Sequence, residues 1–219
     1  MLENKLNSSR NVWENCWEKQ HAHFDIIGWG RKVYNFFIFN FLEKFISKQT
    51  DFLELGCGTA SLGIKLASHI RSYTGFDIAA NVLKQAEEDF KKRCLNNFVL
   101  ERKDIFNLEN NKKYDVVWSQ GLVEHFEATE KLIEIHLDLC KEGGVVIISV
   151  PAKYSYHHLW YLVTRFKSLN RFWPWSNQIF ISKKDFRRCL GLLANQYQGY
   201  QITNTRPYFL GLTVLVINK

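Results

Sequence analysis

Asp51-Phe52-Leu53-Glu54-Leu55-Gly56-Cys57-Gly58-Thr59-Ala60-Ser61 is an apolar run that ends in an acid and continues with small residues at alternate positions. Phe52 to Leu55 has the length and composition of a short buried strand, and Leu62 to Ala67 resumes an apolar pattern at helical spacing. The turn between them carries glycines, which tolerate positive φ and let a ligand approach the backbone. A helix opening after such a turn points its free N–H groups and its positive dipole end at whatever sits there. Glu54 narrows the choice of ligand. A carboxylate at the strand end disfavours a pyrophosphate and suits a cationic or hydroxyl-bearing molecule.

Working outward, Tyr73-Thr74-Gly75-Phe76-Asp77-Ile78 reads as a second strand ending in an acid. Asp77 lies about twenty residues beyond the glycines, where a βαβ unit sets a carboxylate beside a ribose. It could accept both ribose hydroxyl protons in charge-assisted bonds. Glu101-Arg102-Lys103-Asp104-Ile105 follows, then Tyr114 to Phe126 as a fourth strand running into a loop. Lys141-Glu142-Gly143-Gly144 reads as a turn before a fifth strand over Val145 to Val150.

These elements, in this order, resemble the class I S-adenosylmethionine-dependent methyltransferases, whose first motif is acidic-x-Gly-x-Gly-x-Gly. Glu54, Gly56 and Gly58 match it, and Ala60 replaces the last glycine. The dinucleotide fingerprint fits less well, because Ser61 stands where its third small residue belongs. The resemblance is close over residues 50 to 150 and looser beyond. It implies S-adenosyl-L-methionine as cofactor, S-adenosyl-L-homocysteine as product, and no metal. Glu54, Gly56, Cys57 and Gly58 then form the cofactor turn, with Asp77 and Ile78 at the ribose. The Asp104 side chain and the Ile105 backbone read the adenine, and strand-end backbone at Ser119 and Gln120 holds the methionine end. The implied fold is α/β, a Rossmann-like three-layer sandwich. Its seven-stranded, mainly parallel sheet has helices on both faces and an antiparallel C-terminal strand.

The periodicity agrees. Asn11 to Gln20 and Lys32 to Ser47 are expected to be helical, the second with Val33, Phe36, Phe37, Phe41 and Phe45 on one side. Strands alternating with helices from Asp51 to Val150 call for a parallel sheet. Ser182 is the expected N-cap of a helix carrying Phe186, Leu190 and Leu193, and Tyr200–Thr205 and Leu212–Asn218 read as two closing strands. At 219 residues the chain is long enough to bury a sizeable core and is read as one domain. Its expected parts are an N-terminal helical cover (1–48), a cofactor-binding core (49–150), a lid-like insertion (151–180), and a C-terminal helix with closing hairpin (181–219). Five scattered cysteines without a C-x-x-C pair argue against disulfides and zinc. Met1 to Arg10 is polar, without the apolar centre of a signal peptide, and no apolar run is long enough to span a bilayer. The expected location is the cytoplasm.

Charge is concentrated late in the chain. From Pro151 to Gly199 the bases are Lys153, Arg165, Lys167, Arg171, Lys183, Lys184, Arg187 and Arg188, against the single acid Asp185. The same stretch is rich in aromatics, among them Trp160, Trp173 and Trp175. It reads as a cover or acceptor platform, with Tyr154, Tyr156, His157 and Trp160 as candidate substrate contacts. Three occupants compete: an anionic or aromatic small acceptor, an anionic membrane surface, or RNA held by stacking and phosphate contacts. Core packing alone would also account for the aromatics. Trp13, Trp17, His21, His23 and Trp29 are candidates for closing the pocket from the N-terminal side.

His125 follows Glu124 just past the fourth strand. An imidazole there could take a proton from an acceptor hydroxyl or amine, or it could simply position the loop. The activated sulfonium needs only alignment, a proton acceptor and exclusion of water. No Asn-Pro-Pro-Tyr or Pro-Cys motif is present, which disfavours base-amino, glutamine-amide and cytosine chemistry. The favoured reading is methyl transfer to O or N of a small, aromatic or amphipathic acceptor. The alternatives are an RNA-modifying methyltransferase and a cofactor-binding pseudoenzyme that serves as a partner subunit. Oligomeric state is not legible.

Overall fold

A computed structural model describes residues 13–14, 35–108, 112–153, 155, 158, 162, 178–204 and 211–219. The chain divides into two compact units, Met1–Leu108 and Glu109–Lys219. The first unit holds β1 (Asp51–Leu55), α1 (Ser61–Leu66), β2 (Ser72–Asp77), α2 (Ala80–Lys92) and β3 (Phe98–Arg102). The second holds β4 (Tyr114–Gln120), α3 (Thr129–Leu139), β5 (Cys140–Pro151), α4 (Lys183–Leu192), β6 (Gly199–Asn204) and β7 (Leu212–Asn218). The strands belong to a seven-stranded sheet, to which the first unit contributes the order β3-β2-β1 and the second β4-β5-β7-β6. β1 with β2, β2 with β3, and β4 with β5 run parallel; β7 runs antiparallel to both β5 and β6. The expected α/β class and the antiparallel closing strands are both present.

Two boundaries differ from the sequence reading. Residues 35–42 are α-helical, but Glu43–Phe45 tightens into a 3-10 turn and Ile46 is extended, so the helix ends before Ser47. β5 begins at Cys140 rather than Val145, because Cys140 already pairs with Tyr114. The register then shifts between Tyr114 and Val116 while Gly143 takes φ +75°, so the expected glycine turn is absorbed into the strand as an irregularity.

In the first unit every residue of β1 is buried, as expected of a strand covered on both faces. α2 buries Val82, Leu83, Ala86 and Phe90, an apolar stripe of helical period. Phe90 stacks on Phe98 at 4.3 Å and tilts against Tyr73 at 5.5 Å. The Asn97 side-chain amide donates to the carbonyls of Ala67 (2.8 Å) and Ile70 (3.2 Å), tying the entry of β3 to the end of the α1 segment. In the second unit Ser182 is the N-cap of α4, as expected. Its side chain accepts from the Asp185 N–H while the Asp185 carboxylate accepts from the Ser182 N–H, a reciprocal capping box.

The parallel register of β1 and β2 sets Phe52 beside Tyr73 and Glu54 beside Gly75. With a period of two, Tyr73, Gly75 and Asp77 share one face of β2, and Phe52 and Glu54 lie beside the first two on β1. Tyr73 is fully buried there, stacked on Phe52 at 6.3 Å. α1 passes over its ring at Gly63, where a Cβ would overlap the ring carbons. Gly63 is therefore required by close approach. The Gly63→Ala variant should lose about 1–3 kcal/mol of stability, as overpacked core positions do. Urea unfolding should show a lower midpoint with an unchanged slope.

Candidate active site

The turn after β1 is built by backbone bonds that use its own amides. The N–H groups of Gly56 (2.8 Å) and Cys57 (3.1 Å) both donate to the Phe76 carbonyl at the end of β2, and Ala60 N–H donates to the Cys57 carbonyl at 2.8 Å. Gly58 N–H donates to Asp77 Oδ2 at 2.8 Å. Gly56 and Gly58 have φ of +69° and +52°, and Ala60 sits in the same left-handed region at +47°. The position where the methyltransferase motif has its last glycine thus carries an alanine in a glycine conformation, at a cost of about 1–2 kcal/mol. With these amides satisfied internally, the turn is not a ready cradle for phosphate, which agrees with the exclusion drawn from Glu54.

Asp77 is buried at the tip of β2. Its Oδ2 accepts from Gly58 and its Oδ1 from Ala79 N–H at 2.9 Å, next to the first residue of α2. Burial raises its pKa, opposed by backbone bonds from Ala79, Gly58 and Ile78. Glu54 is buried too, and its Oε2 accepts from the Tyr73 hydroxyl at 2.5 Å. Cys57 lies between these acids. Burial foremost, then the charges of Asp77 and Glu54, push its thiol well above the ordinary value, so it is a small inert residue rather than a nucleophile.

Asp104 stands just past β3. Its Oδ1 accepts from Phe106 N–H at 3.0 Å and its carbonyl from Asn107 N–H at 3.0 Å, so it caps the Ile105–Asn107 turn. Ile105 is buried and Ile78 half-buried. Beside them Arg102 donates from Nε to the Ile78 carbonyl (3.0 Å) and pairs with Glu14 (3.1 Å). Glu14 also accepts weakly from Ala80 N–H, at 3.4 Å. The short helical piece at Trp13 and Glu14 is thereby moored at the tips of β2 and β3.

The second unit carries the other residues that the sequence singles out. Ser119 is buried near the end of β4, and its hydroxyl lies 2.8 Å from His136 Nε2 on α3. His136 Nδ1 lies 2.6 Å from the Leu132 carbonyl, which fixes Nδ1 as the donor and Nε2 as the acceptor of the Ser119 proton. The Ser119 hydroxyl proton is therefore committed to α3. Gln120 is half-buried, and the next residue, Gly121, turns at φ +67°. Glu124 and His125 follow in a 3-10 turn, Val123–His125. His125 is half-buried. Glu124 is only 2% exposed, and its Oε2 has no hydrogen-bond partner among the described residues. Burial pushes its pKa up to about 8, so it is protonated at neutral pH. Tyr154, Tyr156, His157 and Trp160, the candidate substrate contacts, lie outside the described residues, as do Trp17, His21, His23 and Trp29. Among the described residues no group of His, Cys, Asp and Glu could hold a metal ion, and no helix is long and apolar enough to cross a membrane.

Comparison with known proteins gives this arrangement a family. The sequence model described as a methyltransferase domain matches residues 46–196, most of the chain. The chain belongs to the methyltransferase family. The sequence likeness to class I S-adenosylmethionine-dependent enzymes is thereby borne out. A malonyl-[acyl-carrier protein] O-methyltransferase of Ilyobacter polytropus is 30% identical over 141 residues, 63% of this chain and 52% of that protein. A mitochondrial ubiquinone biosynthesis O-methyltransferase of Dictyostelium discoideum is 27% identical over 115 residues, covering 46% of this chain and 35% of that protein. The chain thus spans about half, or less, of the length of these curated relatives. Among solved structures, magnesium protoporphyrin IX methyltransferase from Synechocystis with bound S-adenosylhomocysteine superimposes with TM-score 0.69. That match covers 97% of this chain and 99% of the other at 18% identity, and shows a shared fold.

Several residues of this methyltransferase chain escaped the sequence reading. Tyr73 reads as ordinary core, and nothing in its own strand signals the bond to Glu54. Glu124 was noticed only as a neighbour of His125, although an acid next to apolar Val123 in a short turn was a usable signal. His136 was given no role, yet its place on the buried stripe of α3 made a hydrogen-bonded histidine legible.

The buried pair Glu124 and His136 makes stability depend on pH. Glu124, raised from 4.5 to about 8, contributes stability that is complete below pH 4.5 and is lost as pH rises through 8. His136, lowered by burial from 6.5 to about 4, contributes stability that is complete above pH 6.5 and is lost as pH falls through 4. The two slopes oppose each other between pH 4.5 and 6.5. Above that window the Glu124 slope is no longer opposed by His136, and its contribution to stability should decline by up to about 2 kcal/mol toward pH 8. In Glu124→Gln this alkaline decline should vanish when urea unfolding is compared at about pH 6.5 and 8; a decline as steep as in the parent protein would show that Glu124 is not the group responsible.

Proposed function

We propose that this chain is an S-adenosylmethionine-dependent methyltransferase that transfers a methyl group to O or N of a small acceptor. The observation that carries the reading is the pair of buried carboxylates, Glu54 and Asp77, flanking a turn whose amides are satisfied internally. Such a site is built against phosphates and in favour of a ligand that is cationic and bears hydroxyls, and family membership names one. Both curated relatives described above are, by name, O-methyltransferases, which favours oxygen as the accepting atom.

When bound, the cofactor supplies a methyl group on a sulfonium leaving group, ready for direct displacement. The protein's part is to bind, orient and manage a proton. In this reading Asp77 accepts from the ribose hydroxyls, and Glu54 accepts from a cationic group. Asp104 and the Ile105 backbone take the adenine side. Ser119 and Gln120 contribute backbone at the tip of β4, since the Ser119 hydroxyl already serves His136. His125 takes the acceptor proton. Glu124, protonated at neutral pH, offers a hydrogen-bond donor on the same turn.

Calorimetry with S-adenosylmethionine tests the ribose assignment. Asp77→Ala should weaken binding at least tenfold, the loss of a charge-assisted pair amounting to about 1.4 kcal/mol or more; unchanged affinity would remove Asp77 from the site. For the proton, cofactor-loaded protein is screened against hydroxylated and amine metabolites, with S-adenosylhomocysteine as the readout. On any acceptor so found, His125→Ala should cost about 10²-fold in turnover while cofactor affinity stays as in the parent protein. Near-normal turnover would leave His125 a structural residue.

A further inference from the structure

Tyr73 has no exposed surface, and the seat of its ring is enforced from several sides. Phe52 stacks on it with an interplanar angle of 16°, and Phe90 tilts against it. Two glycines make room. A Cβ on Gly63 of α1 would overlap the ring, and a Cβ on Gly75 would fall 3.1 Å from Tyr73 Cε1 and 2.9 Å from Cys57 Sγ. Glycine weakens both a helix and a strand, so each departs from what its element favours. A phenylalanine would fill the same ring volume. What tyrosine adds is one hydroxyl, and a buried hydroxyl needs a partner. That partner is Glu54 Oε2, at 2.5 Å. Burial, with the Glu54 charge next, pushes the phenol well above its ordinary pKa, so it remains a donor at any physiological pH.

Glu54 needs such a donor. It is buried at the end of β1, with Asp77 buried at the end of β2 and the Cys57 thiol near both. A carboxylate in dry surroundings close to another acid keeps its charge and its aim only when hydrogen bonds hold both. The phenol is anchored by rigid neighbours, so the carboxylate it holds is anchored too.

We propose that Tyr73 is a positioning residue for cofactor capture: its hydroxyl aims the Glu54 carboxylate at the cationic part of S-adenosylmethionine. The inference rests on the methyltransferase reading and adds to it a residue that does not itself touch the ligand. It explains why β2 carries a tyrosine and a glycine on the face that meets Glu54, and why α1 carries a glycine above them.

A double-mutant cycle on cofactor affinity decides the matter, because residues that act through one another give non-additive effects. Calorimetry with S-adenosylmethionine is run on the parent protein, Tyr73→Phe, Glu54→Gln and the double variant. Tyr73→Phe should bind at least fivefold more weakly. Glu54→Gln should lose as much or more, and the double variant should match Glu54→Gln within twofold. Parent-like affinity in Tyr73→Phe, or a loss in the double variant equal to the product of the two single losses, would overturn the proposal. Should Tyr73→Phe fail to fold, Glu54→Asp answers instead. It keeps charge and phenol but withdraws the carboxylate by one methylene, and should weaken binding at least fivefold, whereas unchanged affinity would equally overturn the idea. A parent protein that does not bind S-adenosylmethionine at all would count against the methyltransferase reading, not against the coupling of Tyr73 to Glu54.

Discussion

Holding two buried carboxyl groups in place in a dry corner of the fold is the constraint around which the first unit is arranged. Asp77 meets it with backbone donors that include Gly58 and Ala79, one from the turn after β1 and one beside the start of α2. Glu54 meets it with the Tyr73 phenol. The donors on Asp77 come from backbone and the donor on Glu54 from a ring wedged among Phe52, Phe90 and two glycines. Neither acid can be satisfied without fixing something else: the turn conformation in one case, the close approach of α1 in the other. The left-handed conformations of Gly56 and Gly58 belong to the same turn that presents Gly58 N–H to Asp77, and Ala60 repeats that conformation at the entry to α1.

The second unit handles buried polarity differently. Ser119 and His136 satisfy each other, and the Leu132 carbonyl takes the remaining imidazole proton, so the histidine stays neutral and structural. Glu124 receives no comparable support and keeps its proton instead. Its own carbonyl accepts from Ile179 N–H at 2.7 Å, which ties the turn after β4 to the approach to α4. A neutral carboxyl beside a half-buried histidine on one short turn is suited to passing or donating a proton.

The distribution of buried acids and engaged amides bears on which ligands the family membership allows. A phosphate-bearing cofactor would require free turn amides, and those of Gly56, Cys57, Gly58 and Ala60 are engaged. A sulfonium nucleoside requires hydroxyl and cation acceptors, the role proposed for the buried acids at the tips of β1 and β2.

Much of this was legible in the sequence alone because it is local. The alternation of Leu53 to Leu55, the small residues at 56, 58 and 60, the acid at the tip of β2, and the Ser182 cap of α4 are all patterns within one element or one turn. Such patterns follow from the two- and 3.6-residue periods and from the conformational freedom of glycine. Family membership and the order of elements came with them. What only the tertiary structure decided are the pairings across elements. Which oxygen of Asp77 meets Gly58, that Tyr73 meets Glu54, that Ser119 turns toward His136, and that Glu124 Oε2 has no partner among the described residues all depend on strand register and helix approach. A side chain's partner in a packed interior is set by three-dimensional neighbours whose spacing along the chain carries no periodic signal.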